Sequence, residues 1–119
     1  MNKHEKLNYV EFATRDLVAS KRFFVKAFGW DFVDYGPDYS AFSGYGLDGG
    51  FFASEQVMRA EAGGALLVFY SEDIKATEKK VQEAGGEVVR GIFDFPGGCR
   101  FHFVEPGGNE LAVWSKAIV

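Results

Sequence analysis

The 119 residues suit one domain with one core, and 47% hydrophobic with 25% charged residues is ordinary globular usage. A formal net charge of −4 argues against the basic surface that nucleic-acid binders carry, and no apolar run is long enough to span a membrane. Thirteen Phe, five Tyr and two Trp, 17% of the chain, provide for a large core and also for a lined pocket or a subunit interface.

Met1 to Lys6 is short and polar with no apolar run behind it, so a cytoplasmic protein is expected. Leu7 to Ala13 alternates as a strand, and Asp16 follows as an N-cap. Leu17, Ser20, Phe24, Ala27 and Phe28 recur at three- and four-residue spacing, which predicts a helix with one apolar stripe and with Arg22 and Lys26 facing water. Gly29 stops it. Trp30 to Tyr35 and Tyr39 to Ser43 read as strands about a Gly36-Pro37-Asp38 turn. Gly44-Tyr45-Gly46-Leu47-Asp48-Gly49 fits G-x-G-x-x-G, but a dinucleotide site needs a helix to begin at its end. The strand-like Gly50-Phe51-Phe52-Ala53 follows instead, so a hairpin turn is expected.

Residues of about 55–63 form a polar connector, with room for a helical turn between Gln56 and Ala62. Ala65 to Tyr70 is apolar on both faces and predicts a strand buried on both sides. Asp73 to Ala84 is a second helix, ended by Gly85-Gly86. Strands at Glu87 to Phe93 and Arg100 to Val104 flank Pro96-Gly97-Gly98, and Glu105-Pro106-Gly107-Gly108-Asn109 turns the chain into Glu110 to Trp114. Cys99 is alone, which excludes an internal disulfide and a cysteine metal knuckle.

The second half repeats the first. Asp16 and Asp73, Leu17 and Ile74, Ser20 and Thr77, Phe24 and Val81, Ala27 and Ala84, and Gly29 and Gly86 are each one step of 57 apart. A common step across cap, stripe and stop predicts two copies of one unit. Each copy reads β-α-β-β-β, module one at about 6–54 and module two at about 64–115 of a single domain.

Asp16 followed by Phe23-Phe24 and Phe28-Gly29-Trp30, with the turn Glu105-Pro106-Gly107-Gly108-Asn109, resembles the vicinal oxygen chelate superfamily of glyoxalase I, bleomycin-resistance proteins and extradiol dioxygenases. The final Leu111-Ala112-Val113-Trp114 looks most like its small single-domain glyoxalase-related members. The resemblance implies an α+β fold in which two tandem βαβββ modules form an eight-stranded half-open barrel, helices outside and ligand inside. It also implies a homodimer whose pockets both chains complete.

Active members of that superfamily hold a divalent metal with four side chains. Carried onto this chain, those positions fall on Tyr9, Ser54, Leu66 and Ala112. None supplies the imidazole or carboxylate donors such ions need, so no metal and no cofactor are expected. Glu11 and Glu110 share faces with Tyr9 and Ala112 but are too few. His4 is near the start of the chain, and His102, between Phe101 and Phe103, is expected to pair with Val113 on the helix-packed side as a structural histidine.

Alternation leaves Tyr9, Glu11, Phe52, Ser54, Val68, Tyr70, Glu110, Ala112 and Trp114 to line the cavity, the composition of a small-molecule site. Glu11, if buried among aromatics, would serve as a general base or anchor a cation. The sequence therefore points to a metal-free small-molecule-binding protein with neither nucleic-acid nor membrane partners. Its rivals are a metal-dependent lyase or isomerase similar to glyoxalase I, an acid–base enzyme using Glu11, and a dimerisation module with a vestigial cavity.

Overall fold

In the computed structural model, which describes residues 2–116, the two halves begin their helices in the same way. The carboxylates of Asp16 and Asp73 accept from the backbone N–H of Ala19 (3.0 Å) and Ala76 (3.2 Å), opening α1 (Leu17–Phe28) and α2 (Ile74–Glu83). Behind each cap sits a hydroxyl pair at the same offset, Thr14 with Ser20 and Ser71 with Thr77, both at 2.7 Å. Gly29, at φ 70°, ends α1 in the left-handed conformation that glycine adopts without strain.

Strands β1 (Tyr9–Thr14), β2 (Val33–Asp34), β3 (Tyr39–Phe42) and β4 (Asp48–Ala53) form one sheet in the order β1-β4-β3-β2. The second sheet repeats that order with β5 (Leu67–Tyr70), β6 (Glu87–Phe95), β7 (Gly98–Val104) and β8 (Glu110–Lys116), as β5-β8-β7-β6. In each, the first strand pairs in parallel with the last and the other pairings are antiparallel. The fold is α+β, and the two sheets are not closed on one another, which suits the half-open barrel. The glycine-rich G-x-G-x-x-G stretch runs into β4 and not into a helix.

One face of each sheet packs on its helix. Phe12 and Phe51 lie under Phe24, and Phe101, Phe103, Leu111 and Val113 form the other half of the core with Ile74 and Val81. Phe23 of α1 reaches Phe103 of β7 at 5.6 Å and joins the halves. Each fully buried Phe stabilises the fold by roughly 1.5–3 kcal/mol, so these rings dominate the energetics. Trp30 does not begin a strand: β2 is two residues long, and Trp30 folds inward, 6% exposed, stacked on Phe24 at 4.6 Å and on Tyr45 at 5.0 Å.

The expectation that the Ala65 to Tyr70 strand is buried on both faces is corrected. Val68 and Tyr70 are 42% and 49% exposed because β5 is the edge of an open sheet. The connector supplies only a 3-10 turn at Ala60–Ala62.

A buried polar knot ties the modules together. Glu105, 1% exposed, accepts from Ser20 Oγ (2.9 Å), the Gly107 N–H (2.5 Å) and Asn109 Nδ2 (2.7 Å). Burial foremost, only partly offset by these donors, raises its carboxyl above the ordinary glutamate range. Gly107 passes so close that a Cβ there would lie 2.0 Å from Ser20 Oγ and 2.1 Å from Thr14 Oγ1.

Candidate functional site

The faces turned away from the helices carry the ionisable groups. On module one this open face is built from Tyr9 and Glu11 of β1, Gly50 and Phe52 of β4, and Tyr39 of β3, placed by the pairings Glu11 with Gly50 and Tyr39 with Phe52. Tyr39 Oη donates to Glu11 Oε2 at 2.9 Å, and the Tyr9 and Tyr39 hydroxyls are 2.6 Å apart. Since the Tyr39 proton is committed to Glu11, Tyr9 donates to Tyr39. Burial foremost, then these bonds to Tyr9 and Glu11, hold the Tyr39 phenol above its ordinary range, so it remains a donor at physiological pH. The missing side chain at position 50 makes this possible, because a Cβ there would lie 2.2 Å from Tyr39 Oη.

On module two, Val68 pairs with Ala112 and Tyr70 with Trp114, and β7 brings His102 opposite Ala112 and Arg100 opposite Trp114. The placement of His102 on the helix-packed side is therefore wrong. Glu105 N–H bonds to the Asn109 carbonyl, and this tight turn sets a register in which Phe101 takes Val113 and His102 takes Ala112. A one-residue slip moves a side chain to the other face. His102 Nδ1 lies 3.2 Å from Glu110 Oε2, and Arg100 Nε donates to His102 Nε2 at 3.2 Å. Tyr70 and Trp114 meet edge to face at 5.0 Å, and Phe95 lies 6.2 Å from Trp114.

The sequence-derived lining thus separates into two groups within one chain. Tyr9, Glu11 and Phe52 stand on the first open face, and Val68, Tyr70, Glu110, Ala112 and Trp114 on the second. Ser54 stands just past β4, its Oγ accepting from Gln56 N–H at 3.1 Å. Glu11 is exposed, so the burial that a shifted general base would require is not present in the single chain. Sequence reasoning missed Tyr39, Arg90, Phe93, Phe95, Arg100 and His102. Alternation outward from Trp114 would have found Arg100 and His102 had the hairpin register been known.

A cavity of about 380 Å³ also opens where the two modules meet, lined chiefly by Val10, Phe12, Trp30, Leu67, Phe69 and Leu111. Its lining holds no charged side chain, and Tyr45 and Tyr70 supply its side-chain hydroxyls.

The pairing register also tests the metal positions. Glu11 faces Gly50 as Val68 faces Ala112, so Gly50, rather than Ser54, is the counterpart of Ala112. Tyr9, Gly50, Leu66 and Ala112 offer no imidazole or carboxylate, and the Tyr39 phenol lies where a side chain at position 50 would project. Among the described residues no group of three or more His, Cys, Asp or Glu is arranged to hold a metal ion. The residues present do not fit the superfamily's metal.

Solved structures share this fold. A glyoxalase/bleomycin resistance protein/dioxygenase family enzyme from Burkholderia phytofirmans PsJN superimposes with a TM-score of 0.76 at 17% identity, covering 92% of this chain and 98% of that one. A glyoxalase-related enzyme from Fulvimarina pelagi gives 0.74 at 19% identity over 94% and 88%. TnmS3, an antibiotic binding protein from Streptomyces sp. CB03234, gives 0.69 at 20% identity over 98% and 100%. No curated protein matches the chain significantly by sequence. The model of the Glyoxalase/Bleomycin resistance protein/Dioxygenase superfamily matches residues 6–113, and with its paired βαβββ modules the chain belongs to that superfamily.

Proposed function

We propose that the protein is a cytoplasmic small-molecule-binding protein that works without a catalytic metal, as a homodimer in which a second copy covers the open faces and completes the pocket. The observation that carries this reading is the character of those faces. Phe52, Val68, Tyr9 and Tyr70 are between 38% and 49% exposed, beside the Glu11–Tyr39 pair and the Arg100–His102–Glu110 chain. Large apolar side chains on an open face favour being covered, and a few fixed polar groups among them give a ligand its orientation. TnmS3, an antibiotic binding protein of the same fold, is a precedent for binding. The lone Cys99 suits a reducing compartment. Glu11, exposed and already bonded to Tyr39, is assigned as an acceptor for a ligand's donor group.

Protein purified and dialysed without chelator is expected to carry no stoichiometric Zn, Ni, Mn or Fe, to sediment as a dimer, and to show quenching of Trp114 fluorescence by planar aromatic compounds. Stoichiometric metal that binding requires would overturn the metal-free reading in favour of a lyase or isomerase similar to glyoxalase I. Quenching by no compound, in wild type and in Glu11→Gln alike, would leave the faces to subunit packing alone.

A further inference from the structure

Strand β6 would turn Arg90 toward the core if it ran regularly. Val88 pairs with Phe103 on the helix side, and a residue two positions along a strand returns to the same side. A register shift between Val88 and Arg90 sets Arg90 opposite His102 instead, and a second shift sets Phe93 opposite Arg100. Bulges re-aim the residues that follow them. Together these two bring Arg90, Phe93 and Phe95 onto the open face beside Arg100, His102 and Trp114.

Arg100 is held by a chain of bonds that starts in the connector. Ala60 N–H donates to Glu110 Oε1 at 3.0 Å, Glu110 Oε2 meets His102 Nδ1, and His102 Nε2 meets Arg100 Nε. Arginine only donates, so His102 Nε2 accepts and its Nδ1–H is the donor to Glu110. The His102 and Glu110 side chains are 13% and 15% exposed, and both imidazole nitrogens are engaged. Among the described residues no carboxylate forms an ion pair with Arg100 or Arg90. Arg100, fixed through Nε, therefore presents its Nη fork to whatever enters, the geometry that matches a carboxylate. Arg90, stacked 3.7 Å over Phe93, adds a second positive charge.

We propose that this face is a binding site for planar aromatic carboxylates, the carboxylate on the Arg100 fork and the rings against Trp114, Tyr70 and Phe95. The assignment rests on the small-molecule reading above and names its ligand class. Arg100 is the binding residue; His102 and Glu110 are positioning residues.

Calorimetric titration of the full chain with 2-naphthoate, 2-naphthalenemethanol and 2-naphthylmethylammonium tests it. The carboxylate is expected to bind about ten- to a hundredfold more tightly than the alcohol of similar shape. Arg100→Met should abolish that preference, with thermal unfolding confirming the fold. His102→Gln, whose side-chain oxygen accepts from Nε, should keep more of the preference than His102→Leu. A carboxylate no tighter than the alcohol, or a preference that survives Arg100→Met, overturns this assignment and leaves the small-molecule reading standing. Binding of none of the three overturns both.

Discussion

Behind their helices the two modules share one frame, while on their open sides they differ in charge and chemistry. The caps Asp16 and Asp73, the hydroxyl pairs behind them and the strand orders all repeat. The open faces carry Glu11 and two phenols in module one, and two guanidiniums with a His–Glu pair in module two. The core side chains themselves differ, Phe24 standing where the second module has Val81, so what repeats is the frame of caps and strand order. A residue on an open face meets only what enters, so it is free to change. A shared fold thus leaves function to the side chains that its open faces carry. In a dimer that set one copy's acidic face against its partner's basic face, the charges would attract and fix the register.

The hydroxyl pairs behind the caps differ in what they receive, and the largest expected effect lies there. The Thr14–Ser20 pair receives the buried Glu105 carboxylate, while among the described residues the Ser71–Thr77 pair receives none. Gly107→Ala would drive a methyl into both hydroxyls of the first knot, and we expect a loss of about 3 kcal/mol or more in urea unfolding. Ser71→Ala should cost about 1 kcal/mol. Equal costs would show that the seam is not where the modules differ.

A smaller effect separates the carboxylate's charge from its shape. Glu105→Gln replaces one carboxyl oxygen with an NH2 group, which would confront either the Gly107 or the Asn109 donor while the amide oxygen accepts from the other, and about 2 kcal/mol should be lost. Because burial raises the Glu105 carboxyl, the folded chain holds that proton more tightly than the unfolded chain does. The group's contribution is therefore fully present below its unfolded value of about 4.3 and declines as pH rises through the raised folded value. The advantage of wild type over Glu105→Gln should accordingly be larger at acid than at neutral pH. An advantage that grows with pH would mean that the donors outweigh burial.

What was legible in the sequence follows the same division. The helix side was readable because caps and stripes are local and the 57-residue step joined them, but the stops differ, since Gly29 is left-handed after α1 and Gly85, not Gly86, is left-handed after α2. The knot was not: the Glu105 motif read as a turn, since its partner Ser20 lies 85 positions away. The open faces were readable only where alternation starts from a known register, as for Tyr9, Glu11 and Phe52. The tight Glu105–Asn109 turn hid His102, two bulges hid Arg90 and Phe93, and matching turn glycines instead of strand pairs put Ser54 where Gly50 belongs.

The smallest expected change tests whether the unlike faces work together. Gly50→Ala would place a methyl 2.2 Å from Tyr39 Oη, and the phenol, being the far end of a long side chain, would swing away from Glu11 and Tyr9. Those bonds are near the surface and alanine suits a strand better than glycine, so stability should change by under about 1 kcal/mol. In an absorbance titration, the tyrosine that ionises late in wild type should move down toward about 10 as it regains water. If one copy's acidic face completes the pocket of its partner, 2-naphthoate affinity should also change about fivefold, or about 1 kcal/mol, although residue 50 and Arg100 lie on different sheets. A shifted tyrosine with unchanged naphthoate binding would show that the acidic face closes over something other than the Arg100 site.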